Sequence, residues 1–452
     1  MRPELFASFA EIAHGTPPLP KQGQPPLWSV NCNRPVEVSL WHSALAVKAD
    51  AARRLFDISC EHLTWAVIDT GIDARHPAFR YLGTSDEFPR PYRTIMCDGK
   101  REKTRVIATY DFSRLRDLLA ALHGLDDPSH LTDADLAALL GHDPPEETRE
   151  RLRALLQTLG KDLALGRELD WDVLGPLLEV PSRAYGPPGP ENDHGTHVAG
   201  ILGANWSRKD GCPADHDVVG VCPTIKFYDL RVFDQEGKGF EFGVMAAMQF
   251  VRHLNAHRDY TVVHGVNLSL SIRHDVANYA CGRTPVCEEC NRLSASGVVV
   301  VAAAGNEGYA RQETLSGPDY EYRSISITDP GNADSVITVG ATHRELPHTY
   351  GVSYFSSRGP TGDGRRKPDL VAPGEKIEAP VGENRLDVKD GTSMAAPHVS
   401  GAAALLMARH TELAGNSARI KEILCATATD LGREPYFQGH GLVDVLRAIQ
   451  SV

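Results

Sequence analysis

Six short apolar runs rich in Val, Ile and Ala limit what this chain can fold into. They are HLTWAVID from residue 62, RVIATYDF near 105–112, KFYDLRVF near 226–233, VVHGVNLSLS near 262–271, GVVVVAAAGN near 297–306 and SVITVGAT near 335–342. Runs that are apolar at successive positions, without polar alternation, read as strands buried on both faces. Several recur at intervals of about 30 residues, the length of a strand–helix–strand unit. Helical stretches such as FGVMAAMQFVRHLNAH (242–257) lie between them. The expectation is an α/β domain with a mostly parallel sheet between two helical layers. Such sheets place their ligands beyond the carboxyl ends of the strands.

One region breaks the rhythm. Residues 113–185 contain no strand pattern and read as a helical insertion: SRLRDLLAALHGL, LTDADLAALLGH, PEETRERLRALLQTLG and WDVLGPLLEV. Thr132 marks a helix start, and Gly141 and Gly160 mark stops. The Pro-rich YGPPGPEND (185–193) then returns the chain to the main domain, expected over 36–112 and 186–452. Residues 1–35, with PPLPKQGQPPLW, read as an extended arm. The N-terminus has no basic start followed by an apolar stretch, so it does not read as a secretory signal. No apolar run reaches the length of a membrane span. The net charge of −12, from 59 acidic and 47 basic residues, argues against a nucleic-acid partner. Nine scattered cysteines, an odd number, suit a reducing cytoplasm better than a disulfide framework.

Four segments carry chemistry. Asp69 ends the strand in VIDTGID, His194 opens a helical pattern in NDHGTHVAG, and Ser393 stands at a helix start in GTSMAAPHVSGAAALL. A carboxylate can orient an imidazole, the imidazole can take a proton from a serine, and the serine can attack a carbonyl. Asn306, after VVVVAAAG, can donate to the oxyanion that results. Taken singly, each has a plainer reading. Asp69 could cap a turn, His194 could be a core histidine, Asn306 could be a turn residue and Ser393 an N-cap. His197, one helical turn on, competes for the role of His194.

In this order, IDTGID, HGTHVAG, VNLSLS, AAGNEG, FSSRGP, KPDLVAPG and GTSMAAPHVSGAAALL together resemble the subtilisin-like serine protease family. The likeness spans roughly residues 60–112 and 186–450. It implies the three-layer subtilisin-like fold and hydrolysis of peptide bonds in a peptide or protein substrate. Asp69 would orient the base, His194 would be the base and Ser393 the nucleophile. Asn306 and the backbone N–H of Ser393 would form the oxyanion hole. Leu268, Ser269 and Leu270 would form one wall of the first specificity pocket, and Ala303, Ala304 and Gly305 the other. A peptide ligase or macrocyclase on the same scaffold is the second reading, and a non-catalytic peptide-binding module the third.

Departures from the family carry expectations of their own. Ser271 and Ile272 stand where relatives often have two glycines, which would narrow the pocket. Glu307 at its rim would favour basic side chains or be a solvated surface group. Ala78 follows His76-Pro77 where many relatives have a calcium-binding carboxylate, so no tight calcium site is expected there and no cofactor is required. Cys281, Cys287 and Cys290 offer weak zinc spacing, with one C-x-x-C and no second pair. The arm is too short for the folding propeptide of secreted relatives, so restraint would fall to the arm, the insertion or a regulatory partner docked on the insertion.

Overall fold

The structure is a computed structural model that describes residues 40–83, 92–97, 99–123, 131–188, 192–314 and 317–452. The expected arm at 1–35 lies outside these residues. Seven strands form the central sheet: β1 (Thr64–Asp69), β2 (Val106–Asp111), β3 (Lys226–Arg231), β4 (Gly265–Leu268), β5 (Val299–Ala303), β6 (Ile337–His343) and β7 (Leu370–Glu375). Their order is β7-β6-β5-β4-β1-β3-β2, and every pairing is parallel. Six of the strands arise from the six apolar runs. The seventh, β7, is the VAPG segment, whose Pro and Gly obscure it as a strand.

Alternation along each strand sends side chains to two cores. Trp65, Val67, Val299, Val301, Ile337 and Val339 face one layer, and Ala66, Ile68, Val266, Leu268, Val300 and Ala302 face the other. The insertion forms four helices: α1 (Leu115–His123), α2 (Asp133–Leu140), α3 (Glu146–Ala164) and α4 (Trp171–Leu178). After it come α5 (His194–Gly203), α6 (Glu241–Ala256), α7 (Pro285–Ala295) and α8 (Thr392–Arg409). Helices α5 and α8 cover the first face, whereas α6, α7 and all four insertion helices bury residues in the second core.

The insertion is therefore a structural part of the second layer. Phe112, Trp171 and Phe250 pack ring to ring with centroids 5.7–6.2 Å apart, joining the insertion to α6. Helix α2 begins at Thr132 with a capping box to Asp135 and stops at Gly141 in the left-handed conformation, as its sequence signals. Helix α3 does not stop at Gly160 but continues to Ala164. A glycine inside a helix costs about 1 kcal/mol. Burial of Leu156 and Leu159, with Leu163 packed against the same core, offsets it. Among the described residues, no helix is long and apolar enough to cross a membrane.

Because the insertion shares a core with the sheet, it should not behave as a removable module. Leu174→Ala, at a fully buried site of α4, should cost about 2–5 kcal/mol and lower the midpoint of a single unfolding transition. Chemical denaturation followed by circular dichroism checks this. A separate early transition for the insertion would contradict the shared core.

Candidate active site

Asp69, the last residue of β1, is only 1% exposed. Its Oδ1 accepts the N–H of Thr70 at 2.7 Å and the Nδ1–H of His194 at 2.8 Å. A carboxylate can only accept, so the proton sits on Nδ1, and Nε2 is left as the basic nitrogen. His194 is the first residue of α5, and its side chain is 32% exposed. Burial works against its charged form, but the charge and hydrogen bond of Asp69 outweigh this and raise its pKa above 6.5.

His197 is the rejected competitor. It is fully buried, and its Nε2–H lies 3.1 Å from the carbonyls of both Ile377 and Asp387. Burial first, and the neighbouring His194 second, push its pKa down to about 3. It is thus a neutral donor bracing α5 against the hairpin of Ile377–Val381 and Arg385–Lys389. Lys389 of that hairpin pairs with Asp193, the residue before His194, at 2.9 Å.

Ser393 is the second residue of α8, whose first peptide N–H groups point to its end. The Ser393 hydroxyl donates to the carbonyl of Ser269 at 3.2 Å, not to the imidazole. In return, Ser269 Oγ donates to the carbonyl of Ser393 at 2.8 Å. Ser269 Oγ is itself fixed by Asn267 Nδ2 at 2.8 Å, and Asn267 Oδ1 accepts from Ser400 at 2.9 Å. This buried relay ties the end of β4 to α8 on both sides of Ser393.

Asn306 is held through its oxygen. Its Oδ1 accepts the N–H of Thr392 at 2.9 Å and the Thr392 hydroxyl at 3.0 Å, and the same hydroxyl accepts the N–H of Gly305 at 3.1 Å. The side-chain NH2 is left toward Gly391, free to donate. Gly305 has φ +103°, and a Cβ there would lie 2.5 Å from Thr328 Oγ1. Only glycine suits that corner.

The two expected walls are modified. Leu268 points into the second core, fully buried beside Val266 and Ala302, so its side chain is core and not pocket lining. The cause is strand alternation, which sends Asn267 and Ser269 to the Ser393 side. Ser269 holds the serine, and Leu270, two residues beyond Leu268, is buried in the same second core, so its side chain is not pocket lining either. Ala303 and Ala304 are buried, with the Ala304 N–H bonded to Val339 and its carbonyl to the Thr328 N–H. Ser271 Oγ donates to Thr328 Oγ1 at 2.8 Å, and Thr328 Oγ1 lies 3.3 Å from the Ala304 carbonyl. Thr328 therefore spans the two walls. Glu307 lines a cavity of about 210 Å³ together with Arg273 and Arg323, so it is not an isolated anion.

Elsewhere, the cysteines do not converge. Cys287 and Cys290 are buried in the second core, with their thiols pushed up by burial, and Cys281 is half-buried outside that core. Among the described residues, no three His, Cys, Asp or Glu side chains are grouped to hold a metal ion. At the place of the usual calcium ligand, Ala78 is fully buried. The His76 ring beside it packs edge-on to Trp206 at 4.7 Å. The sequence reading missed Thr392, Asn267 and Lys389. Of these, only Thr392 carried a signal, by lying between Gly391 and Ser393.

A buried carboxylate–imidazole pair at a strand end, with its histidine on a helix packed against one that opens on a serine, is the layout of an α/β serine hydrolase. The sequence profile of the subtilase family matches residues 62–441, and the chain belongs to that family: it is a subtilisin-like serine protease. It is similar to subtilisin DY of Bacillus licheniformis, 30% identical over 281 residues, covering 62% of this chain and 85% of that protein. Subtilisin E of Bacillus subtilis (strain 168) is 31% identical over 286 residues, 62% of each chain. The fold is shared with the CspB protease of Clostridium perfringens, with a TM-score of 0.59 and 19% identity, covering 90% of this chain and 98% of that one.

The His194–Asp69 pair makes a pH prediction. His194 should titrate above 6.5 by NMR, and Asp69→Asn should lower that value. Because the folded pKa is raised, the stability this pair adds is complete below the unfolded value of about 6.5 and is lost as pH rises through the folded one. His197 should stay neutral down to about pH 3 while the fold lasts.

Proposed function

We propose that Asp69, His194 and Ser393 form the catalytic triad of an endopeptidase, with Asn306 as an oxyanion donor. The observation that carries this reading is the 2.8 Å bond between Asp69 Oδ1 and His194 Nδ1, which leaves Nε2 as the base. For attack, the Ser393 hydroxyl turns from the Ser269 carbonyl toward His194 Nε2 and yields its proton. Its Oγ then bonds to the substrate carbonyl carbon. The carbonyl oxygen becomes an oxyanion beside Asn306 Nδ2 and the positive end of α8. Collapse breaks the C–N bond, and the amine leaves with the proton from His194. Water, deprotonated by His194, then releases the acyl group and restores Ser393.

Thr328 and Ser271 support a shallow first pocket suited to small side chains. The insertion supports control by a protein partner. A cavity of about 800 Å³ between the start of α4 and α6, lined by Trp171, Arg252 and His253, is a place for it to dock.

A fluorophosphonate probe should label Ser393 in the folded chain and fail on Ser393→Ala, with mass spectrometry locating the adduct. Labelling elsewhere, or none, would sink the triad. Asn306→Ala should lower kcat by about 10²–10³-fold with little change in KM. Ser271→Gly should raise kcat/KM for peptides with Leu or Phe before the scissile bond relative to Ala peptides, by about tenfold. An unchanged ratio would place the specificity pocket elsewhere.

A further inference from the structure

Tyr185 ends the insertion, yet its side chain is built into the loop that follows Asp69. It is 2% exposed. Its hydroxyl accepts the N–H of Ala74 at 2.7 Å and donates to the carbonyl of Ile72. Burial raises the hydroxyl's pKa well above the phenol range, so it stays neutral and can donate.

Three guanidinium groups surround the ring: Arg75 at 5.6 Å, Arg93 at 5.0 Å and Arg231 at 5.3 Å from its centroid. Each also holds backbone or its neighbour in place. Arg75 donates to the carbonyl of Tyr185. Arg93 donates to Ser182 Oγ at 3.0 Å and to Thr109 Oγ1 at 2.8 Å, fastening the return segment to the edge strand β2. Arg231 pairs with the buried Asp229 at 3.1 Å and donates to the carbonyl of Gly186 at 3.1 Å. Asp229 Oδ1 in turn accepts the N–H of Ile72 at 3.0 Å. Ile72 is thus fixed at both polar groups, its N–H by Asp229 and its carbonyl by Tyr185.

This loop bears directly on the catalytic pair. Thr70 donates to the carbonyl of Asn192 at 2.9 Å and accepts the N–H of Gly195 at 2.9 Å. Gly195 packs so closely that a Cβ there would lie 2.5 Å from the carbonyl of Gly71. A displacement of Ile72–Ala74 therefore moves the seat of Asp69 relative to the first turn of α5, where His194 sits.

We propose that Tyr185 is a positioning residue through which the helical insertion sets the alignment of Asp69 with His194. The proposal rests on the triad reading and adds a role for the insertion: its return segment holds the loop that follows Asp69. Mispositioning of reacting groups by about 1 Å can cost 10²-fold in rate, so a partial shift should be measurable.

The test is Tyr185→Phe in the full chain, which keeps the ring among the three arginines and removes both hydroxyl bonds. The expected result is a fall in kcat of about tenfold with KM within about twofold, together with a His194 NMR titration displaced toward its ordinary value. A variant that melts at lower temperature but keeps both kcat and the His194 titration would overturn the proposal, since a purely structural pin predicts that result. If Tyr185→Phe does not fold, Arg75→Lys removes the guanidinium clamp and is held to the same two readouts. If wild type cleaves no peptide and Ser393 resists the fluorophosphonate, the triad reading falls. The His194 titration in Tyr185→Phe would still decide this proposal, a displacement supporting it and no displacement overturning it.

Discussion

The buried carboxylate of Asp69 is the charge around which this site is organised. An anion taken from water at the end of a core strand needs hydrogen bonds. The structure supplies the Thr70 N–H and the His194 imidazole on the same oxygen. Those contacts exist only because α5 starts where it does, with Gly195 pressed against Gly71. The location of α5 is set in turn by the apolar face it buries between the sheet and α8. The electrostatics of one bond thus depend on the packing of a whole layer.

A second theme is that small polar side chains at the strand ends link elements together. Asn267, Ser269 and Ser400 form a buried relay that holds both sides of Ser393, and Thr392 locks the Asn306 amide. Asn267, Ser269 and Thr392 each both donate and accept, which couples the bonds into continuous chains. The Ser393 hydroxyl rests on a carbonyl within that relay. The resting serine is therefore held on backbone and must leave that carbonyl before it can give its proton to a base.

Parts of this arrangement were legible in the chain, and parts were not. The buried strands stand out because a sheet covered on both faces needs continuous apolar runs, whereas β7 escaped because Pro373 and Gly374 interrupt its pattern. Asp69, His194, Asn306 and Ser393 each had a plainer reading taken singly, and only the order of the seven motifs along the chain singled them out as a set. Leu268 was misplaced because adjacent strand residues face opposite layers, and a motif read as a string does not show which layer each one faces. Local propensity predicts a stop at Gly160 because it cannot weigh the leucines buried around it. The cysteine spacing does not show that helix α7 turns Cys287 and Cys290 into the core, because burial depends on which face of the helix packs.

From the sequence alone came the α/β class, the position of a helical insertion, the family and four candidate chemical residues, because these depend on local pattern and chain order. The tertiary structure decided what His197 does, a buried donor to two carbonyls of the neighbouring hairpin, which its place in the motif does not show. It also decided that the insertion belongs to the second core and that Tyr185 reaches back to the Asp69 loop. Contacts between residues more than 100 positions apart in the chain leave no periodicity to read. They arise only when layers pack, because burial and hydrogen-bond partners are properties of the assembled fold.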